Sequence, residues 1–318
     1  MLYILLLFVG GLLAQDASSP ILPRPLKVSA VKRLETPAFG TFGNTQCDDN
    51  LSMYDHVATG SYRHTEILRT SASGNESTLY KLPDEFANTA FTDFSVSPRG
   101  DVVALVERKG QFITFDFDSY GSVTSHAELE LPEYVTGDHL SVFPNGTRLF
   151  AGHYRADAPP DLKGKRYVAL LQPSGKLLKR LEELNDVLGQ PQKDRLPDGA
   201  ITIGGDGNVY LLTADKVLVV SPSGEIEKKI TFTKPDPDFS AARVQYSEDL
   251  IVVSFAKTGK PETVFQYLVM NASNGDMLGL FVPTEETGNN NVCFSRHDGF
   301  LFLKIRDNRE EIIAASLR

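Results

Sequence analysis

The side chains of this 318-residue chain that are best suited to metal binding or proton transfer do not stand in a catalytic pattern. The six histidines are His56, His64, His126, His139, His153 and His297. No His-Glu-x-x-His pair occurs, so a metal site would require the fold to bring histidines together with carboxylates. The segment Gly204–Gly207 predicts a turn rather than a phosphate-binding loop, because no helical pattern follows it. Neither a Gly-x-Ser-x-Gly segment nor a cysteine–histidine nucleophile context is present. Motifs alone therefore indicate no catalytic centre.

The elements that must position any site are β-strands in repeated units. Residues 201–232 contain four runs rich in β-branched and aromatic residues, with turns at 205–207 and 222–224 between them. A unit of this size cannot bury both of its faces, so it requires stacked neighbours. The pattern recurs, with drift, in residues 47–82, 92–131, 138–184, 243–282 and 291–318.

The spacing of the first turn in each unit indicates the architecture. The turns are anchored at Asp49, Gly100, Gly146, Gly207, Asp249 and Gly299. Spacings of roughly 40 to 60 residues are typical of propeller blades. The last unit has only three strands, and an isolated strand at Leu26–Leu34 can supply its fourth and so remove the open edges of the ring. The sequence predicts an all-β fold: a six-bladed β-propeller of four-stranded antiparallel blades over residues 26–318, closed by the N-terminal strand.

Two of the turns between third and fourth strands carry a family resemblance. The turns Pro173–Lys176 (Pro-Ser-Gly-Lys) and Pro222–Glu225 (Pro-Ser-Gly-Glu) resemble those of exported six-bladed β-propellers of the NHL, SMP-30 and TolB-like group. The Asn-His-Arg segment typical of NHL repeats is absent, so the chain resembles a divergent member. The resemblance implies either a binding protein or a metal-dependent enzyme of the lactonase or lyase kind, with its site at the mouth of the channel.

One face of the predicted propeller is expected to be rich in loops. Links between blades leave from the same ends of the strands as the connections between second and third strands. The long connections Arg155–Lys165 and Asn185–Gly199 belong to these two classes. Loops on a rigid scaffold often carry function. The alternative interpretation is that these long loops lie on the surface and have no function.

Polar residues are expected to ring the channel mouth on that face. Those entering the innermost strands are Asn44, Asp93, His139, Asp198, Arg243 and Asn291; those ending the second strands include His56, Arg108, His153, Arg155, Lys257 and Arg306. We expect a small acidic ligand, or an acidic side chain of a protein partner, to bind between His153, Tyr154, Arg155 and Arg243. The other ligand-binding residues expected are His139, Asp93, Asp198 and Asn291. Solvation and turn capping are the alternative roles for each residue.

The function favoured by these patterns is non-catalytic binding through the loop-rich face, without a cofactor. The alternative is an enzyme in which Asp93, Asp198 and Asn291 hold a divalent metal ion. Arg243 and His139 at the same mouth would oppose a dense cation site. No catalytic residue is assigned.

The N-terminal residues predict export. Residues 1–14 are uncharged and almost wholly apolar, but too short to span a bilayer comfortably. They fit a signal peptide cleaved after Ala14, followed by an extended leader over residues 15–25; an uncleaved anchor or a buried segment is the alternative. No later stretch is apolar enough to span a membrane. The predicted location is therefore periplasmic or secreted, and the net charge of −9 disfavours a nucleic-acid partner.

The two cysteines, Cys47 and Cys293, first suggest a disulfide in an exported chain. Aligned on the first turn, however, they are offset by about four residues, or roughly 13 Å along a strand. A disulfide needs Cα atoms within about 7 Å. We therefore predict two free, buried thiols, with a disulfide as the alternative.

The segments at Asn75, Asn145 and Asn271 match the N-glycosylation sequon. All three fall in predicted turns, where Asn, Gly and Ser are common for conformational reasons. At the level of sequence they are interpreted as chance matches.

Overall fold

The strands form a ring of six antiparallel blades, which confirms the predicted six-bladed β-propeller. A computed structural model of the chain describes residues 22–37, 45–59, 63–87, 89–188, 196–197, 199–259, 263–287, 291–306 and 309–317. We count the strands of each blade from first to fourth, starting at the central channel. The predicted signal peptide, most of the predicted leader, and Asn44 and Asp198 lie outside the described residues, and of His64 only its place in β5, opposite Ala58, is described.

The elements follow the chain in order. Before the first blade come β1 (Arg24–Pro25) and β2 (Lys27–Pro37). Blade 1 contains β3 (Gln46–Cys47), β4 (Met53–Thr59), β5 (Arg63–Thr70) and β6 (Ser77–Lys81), and a 3₁₀ turn at Asp84–Phe86 follows. Blade 2 contains β7 (Phe91–Val96), β8 (Val102–Arg108), β9 (Gln111–Phe117) and β10 (Val123–Glu128). Blade 3 contains β11 (Val135–Val142), β12 (Arg148–Tyr154), β13 (Arg166–Leu171) and β14 (Leu177–Arg180), and helix α1 (Glu182–Leu188) follows. Blade 4 contains β15 (Ile201–Ile203), β16 (Val209–Leu212), β17 (Lys216–Val220) and β18 (Ile226–Thr231). Blade 5 contains β19 (Ser240–Ser247), β20 (Leu250–Lys257), β21 (Val264–Asn271) and β22 (Met277–Val282). Blade 6 contains β23 (Asn291–Ser295), β24 (Gly299–Arg306) and β25 (Arg309–Ser316), with β2 as its fourth strand.

Burial within a blade explains the sequence pattern. The third strand of blade 3, β13, is buried at every position, whereas the fourth strand, β14, is exposed at every position. Strands in the middle of a blade are covered on both faces by neighbouring blades, so they are continuous apolar runs rather than alternating ones. Helix α1 covers the core with Leu184 and Leu188, and it occupies the start of the link predicted between blades 3 and 4.

The turns between first and second strands depend on backbone geometry that suits glycine. At Gly100 φ is +88°, a region that other residues adopt at a cost. A Cβ there would also lie 2.7 Å from the hydroxyl oxygen of Tyr54 in blade 1. In blade 1 the corresponding turn is Asp48–Ser52, and its residue with positive φ is Leu51 (+57°) rather than a glycine.

The ring is closed by the N-terminal strand, as predicted. Strand β2 pairs antiparallel with β25, from Lys27 opposite Ser316 to Pro37 opposite Arg309. Just before it, β1 pairs in parallel with β22 at the outer edge of blade 5. The N-terminal segment therefore contacts the fourth-strand positions of the last two blades. No helix in the described part of the chain is long and apolar enough to cross a membrane.

The prediction of two free thiols is wrong, because Cys47 and Cys293 form a disulfide with Cα atoms 5.8 Å apart. The bond joins the first strands of blades 1 and 6. The error came from the alignment of the turns: Asp49 was paired with Gly299, but the residue with positive φ in the first turn of blade 1 is Leu51. Counted from Leu51, the offset between the two cysteines falls to two residues.

Candidate functional site

The two faces of the propeller differ in their connections. Turns between first and second strands, and between third and fourth strands, are short and closed by backbone hydrogen bonds. Examples are Phe143 N to Thr147 O at 2.8 Å and Ser221 N to Glu225 O at 3.0 Å. We call the side that carries these turns the turn face, and the opposite side the loop-rich face.

The longest described connection on the loop-rich face is the insertion 155–165 of blade 3, and it is folded. Its backbone is bonded to itself and to the strands, for example from Gly164 N to Tyr154 O (3.0 Å) and from Arg155 N to Tyr134 O (2.8 Å). Ala158 is buried in the core between blades 2 and 3, and Leu162 packs against that core. The insertion is thus fixed in position by packing and hydrogen bonds.

Around this insertion, polar and aromatic side chains form what we call the blade 3 patch: Tyr134, Asp138, His153 and Arg155, which are half-buried, and Asp157, which is exposed. His153 Nδ1 lies 2.8 Å from an Asp138 carboxylate oxygen, and the two side chains are 32% and 30% exposed. The Arg155 guanidinium lies 5.8 Å from the centre of the Tyr134 ring and 3.3 Å from Asp157. The link before β11, which contains Tyr134, and the insertion 155–165 belong to the two connection classes of this face, and they meet in one patch.

Tyr154 has a different place from the one expected. Its side chain is only 4% exposed and packs edge-to-face on Tyr167, with ring centres 5.9 Å apart. It therefore contributes to the core of blade 3 rather than offering an aromatic surface. Tyr134 supplies the aromatic ring of the patch instead, and its position in the link before β11 gave no sequence signal.

Three of the expected site residues follow β-bulges in first strands. Register shifts occur just before Asp93 in β7, His139 in β11 and Arg243 in β19. Bulges reorient side chains and are frequent near binding sites. They put these residues in equivalent positions of blades 2, 3 and 5. Asp93 and His139 meet, with 3.7 Å between a carboxylate oxygen and Nδ1.

Several channel residues also join neighbouring blades. Asp93 accepts a hydrogen bond from Leu140 N of blade 3 (2.8 Å), and Gln46 accepts one from Val96 N of blade 2 (2.8 Å). Gln245 of blade 5 donates to Val292 O of blade 6 (2.5 Å). The Cys47–Cys293 disulfide joins blade 6 to blade 1 in the same ring of strands. These side chains hold together first strands that belong to separate sheets.

Arg243 lies in the channel. Val244 N donates to Gly199 O (2.9 Å), and the Arg243 side chain crosses Gly199 so closely that a Cβ there would lie 2.6 Å from Arg243 Cγ. Asp198, its expected neighbour, lies outside the described residues, as does the side chain of Asn291; only the pairing of Asn291 with Leu303 is described. The structure thus groups Asp93 with His139 in the channel, and His153 with Arg155 on blade 3.

Asp55 is a channel-side residue that the sequence interpretation missed. It is buried on β4 and accepts a hydrogen bond from Thr45 Oγ1 (2.5 Å). Burial raises the pKa of Asp55 to about 6, although the Thr45 hydrogen bond and the charge of Arg243 oppose this rise. The available signal was a lone carboxylate in the apolar run Met53–Val57.

The channel between blades 1, 4 and 5 contains a cavity of about 30 Å³, lined by Thr45, Gln46, Gly199, Arg243 and Gln245 among others. That volume accommodates about two water molecules. Small-molecule sites usually enclose roughly 300 Å³ or more. Among the described residues, no group of three or more His, Cys, Asp or Glu side chains is arranged to hold a metal ion.

Comparison with known proteins shows the fold. No protein-family model matches the chain, and no curated protein matches it. A solved protein described as a candidate gluconolactonase is similar, with a TM-score of 0.51 and 15% identity over 94% of this chain and 95% of its own. A luciferin-regenerating enzyme has a TM-score of 0.49 and 11% identity, covering 90% of this chain and 95% of its own. The WD40 domain of Pan2 from Neurospora crassa also has a TM-score of 0.49 and 11% identity, covering 93% and 98%. At 15% identity, the similarity to the candidate gluconolactonase shows the β-propeller fold alone and does not decide between catalysis and binding.

Proposed function

We propose that this chain is an exported, non-catalytic β-propeller that binds a protein partner through its loop-rich face, at the blade 3 patch. The observation that carries the proposal is the folded insertion 155–165 together with the two half-exposed pairs at its base: His153 with Asp138 on strands β12 and β11, and Arg155 with Tyr134. Side chains fixed before binding lose less conformational entropy when a partner docks. Tyr and Arg are also enriched among residues that dominate binding energy.

The chemistry of the patch favours an acidic group on the partner. Arg155 is 41% exposed, and its nearest carboxylate, on Asp157, is 65% exposed and therefore weakly held. An incoming carboxylate can replace Asp157 on the guanidinium and form the stronger, bidentate contact. His153, when protonated, would add a second positive charge beside it.

The competing proposal is a metal-dependent lactonase or lyase with its site at the channel mouth. Of its three expected ligands, Asp93, Asp198 and Asn291, only Asp93 has a described side chain. Asp93 already accepts a hydrogen bond from Leu140 N, and the channel cavity of about 30 Å³, which Asp93 does not line, is small for an organic substrate. These two facts favour binding over catalysis. Metal analysis of the purified protein separates the two, because a stoichiometric divalent ion would support the enzyme.

Two observations support the export and family parts of the proposal. A disulfide between Cys47 and Cys293 suits an oxidising compartment, as expected outside the cytosol. The turns at 172–176 and 221–225 adopt the same hydrogen-bonded form, with positive φ at Gly175 and Gly224. Their shared Pro-Ser-Gly segment is the feature on which membership in the NHL, SMP-30 and TolB-like group is proposed.

The test is partner capture followed by affinity measurement. The exported protein is cross-linked to partners in the fluid around producing cells, and the Kd of the identified partner is measured. Arg155→Ala and His153→Ala should each weaken binding by about 1–3 kcal/mol, or about 5- to 150-fold. Arg243→Ala is measured beside them, because a ligand that reaches the channel would lose affinity in that variant too. Ser223→Ala, in a turn of blade 4 on the turn face, is the control. If Ser223→Ala weakens binding and the blade 3 variants do not, the proposed face is wrong.

A further inference from the structure

The N-glycosylation sequons of this chain all lie on the turn face. Asn145 is in the first turn of blade 3, and Asn75 and Asn271 are in the turns between third and fourth strands of blades 1 and 5. A fourth sequon, Asn50-Leu51-Ser52, lies in the first turn of blade 1. In an up-and-down blade these two turn classes leave from the same ends of the strands. Four sequons in three blades therefore share one side of the ring.

The side-chain geometry leaves the reactive atom of each asparagine available. Asn145 Oδ1 accepts a hydrogen bond from Thr147 N (3.0 Å), and Asn271 Oδ1 accepts from Ser273 N (2.7 Å) and Ser273 Oγ (2.5 Å). Asn75 Oδ1 accepts from the ammonium group of Lys32. The amide oxygens are thus oriented by the fold, while no described residue accepts a hydrogen bond from Nδ2 of these asparagines.

Exposure allows the folded protein to carry attached sugars. Asn50, Asn75 and Asn145 are exposed, and Asn271 is half-buried at the start of its turn. The turns are surface segments of four to six residues whose backbones are already hydrogen-bonded. A bulky, hydrophilic group on such a tip displaces water rather than core side chains.

We propose that the turn face is the site of N-linked glycosylation, at Asn50, Asn75, Asn145 and Asn271. In the reaction Nδ2 loses a proton and bonds to the anomeric carbon of an oligosaccharide. The bond between that carbon and the lipid pyrophosphate of the donor breaks, and the pyrophosphate leaves with the electron pair. The proposal depends on export, which is part of the proposed function, and on a secretory pathway that supplies this donor.

The placement has a consequence for partner choice. Glycans on the turn face would cover the short turns of blades 1, 3 and 5 and exclude protein partners there. The blade 3 patch lies at the other ends of the strands, so it would stay uncovered. Glycosylation would then restrict binding to the loop-rich face.

The experiment is secretion of the full chain, with its own residues 1–14, from a eukaryotic cell line. Treatment of the secreted protein with a peptide N-glycosidase should lower its mass, and Asn→Gln at each of the four positions should remove one glycan increment. Asn274→Gln, in the same turn as Asn271 but outside any sequon, should leave the mass unchanged. Secreted protein with the mass of the bare polypeptide would overturn the proposal. Chain that stays inside the cells would instead count against export.

A second arm separates this inference from the proposed binding face. Lys163→Asn with Lys165→Thr creates a sequon in the insertion 155–165, on the loop-rich face. The added glycan should abolish capture of the partner identified above, whereas enzymatic removal of the natural glycans should not reduce it. If the natural glycans are present but the added one leaves binding unchanged, the glycosylated face stands and the binding face fails. If removal of the natural glycans by the glycosidase reduces binding, those glycans contribute to the partner contact, and the proposed restriction of binding to the loop-rich face is wrong.

Discussion

The disulfide between Cys47 and Cys293 should contribute strongly to stability, because it closes a very long loop. The two cysteines are 246 residues apart in sequence. In the loop-entropy model, a bond across about 100 residues stabilises the folded state by about 4.7 kcal/mol, and the value grows with the logarithm of loop length. For this bond the model gives about 5.5 kcal/mol, acting mainly on the unfolded chain.

Reduction should leave the native ring closed, which isolates the effect on the unfolded state. Strand β2 remains paired with β25, and Cys293 remains buried among apolar neighbours. We therefore expect the reduced protein to fold normally and to unfold at lower urea concentration. With a slope of about 3 kcal/mol per molar urea, a loss of about 5.5 kcal/mol shifts the midpoint down by about 1.8 M.

The assay compares urea unfolding of the oxidised protein, the reduced protein, and the Cys47→Ala, Cys293→Ala double variant. The chain has 11 tyrosines and no tryptophan, so tyrosine fluorescence or circular dichroism reports the transition. Reductant should shift the midpoint of the natural protein and leave that of the double variant unchanged. Thiol titration of denatured protein without reductant gives the refuting result: two free thiols would mean that the bond does not form.

Three further predictions concern stability. Deleting residues 26–34 removes most of β2 and should cause aggregation or a much lower Tm; a monomeric truncated protein that melts unchanged would contradict closure by this strand. Arg148 is buried between blades 2 and 3 and binds both carboxylate oxygens of Asp116 (2.9 and 3.1 Å), so Arg148→Met should lower the free energy of unfolding by about 3 kcal/mol; an unchanged urea midpoint would oppose this. The folded-state pKa of Asp55, about 6, lies above its ordinary value of 3.8, so its contribution to stability is present at pH 4 and is lost as the pH rises through 6. Asp55→Asn should therefore be about 3 kcal/mol more stable than the natural protein at pH 8 and similar to it at pH 4, and a difference that does not change with pH would refute the argument.

The blade count and the closure could be predicted because they depend on local signals. A tight turn with positive φ requires glycine or a tolerant residue, so Gly100, Gly146 and Gly207 mark equivalent positions in the sequence. The strand missing from the last unit could also be predicted from a local signal, because β2 has an alternating sequence pattern but no adjacent strand with which to form a hairpin. The error about the cysteines arose where the local signal was absent. Leu51 takes the positive φ in blade 1, and leucine does not mark such a position.

The environment of individual site residues could not be predicted, because it depends on side chains far apart in sequence. Burial raises the pKa of Asp55 on blade 1, whereas the hydrogen bond from Thr45 and the charge of Arg243 on blade 5 lower it. Bulges before Asp93 and His139 depend on how two strands of a blade pair, and no residue type announces them. The burial of Tyr154 follows from its packing on Tyr167, which the alternation of β12 alone did not reveal.

The channel residues illustrate why a polar side chain in a propeller centre is ambiguous evidence for a ligand site. First strands of neighbouring blades belong to separate sheets, so their backbones lack the ladder that joins strands within a blade. Asp93, Gln46 and Gln245 supply hydrogen bonds across these junctions. A buried acceptor that is already satisfied loses that bond if it turns toward a ligand, and such a loss costs about 1–3 kcal/mol. Residues of the blade 3 patch have no such cost where their pairing is solvent-exposed, as for Arg155 with Asp157. This difference in the free-energy cost of breaking existing contacts is the physical reason to look for the partner on the loop-rich face rather than in the channel.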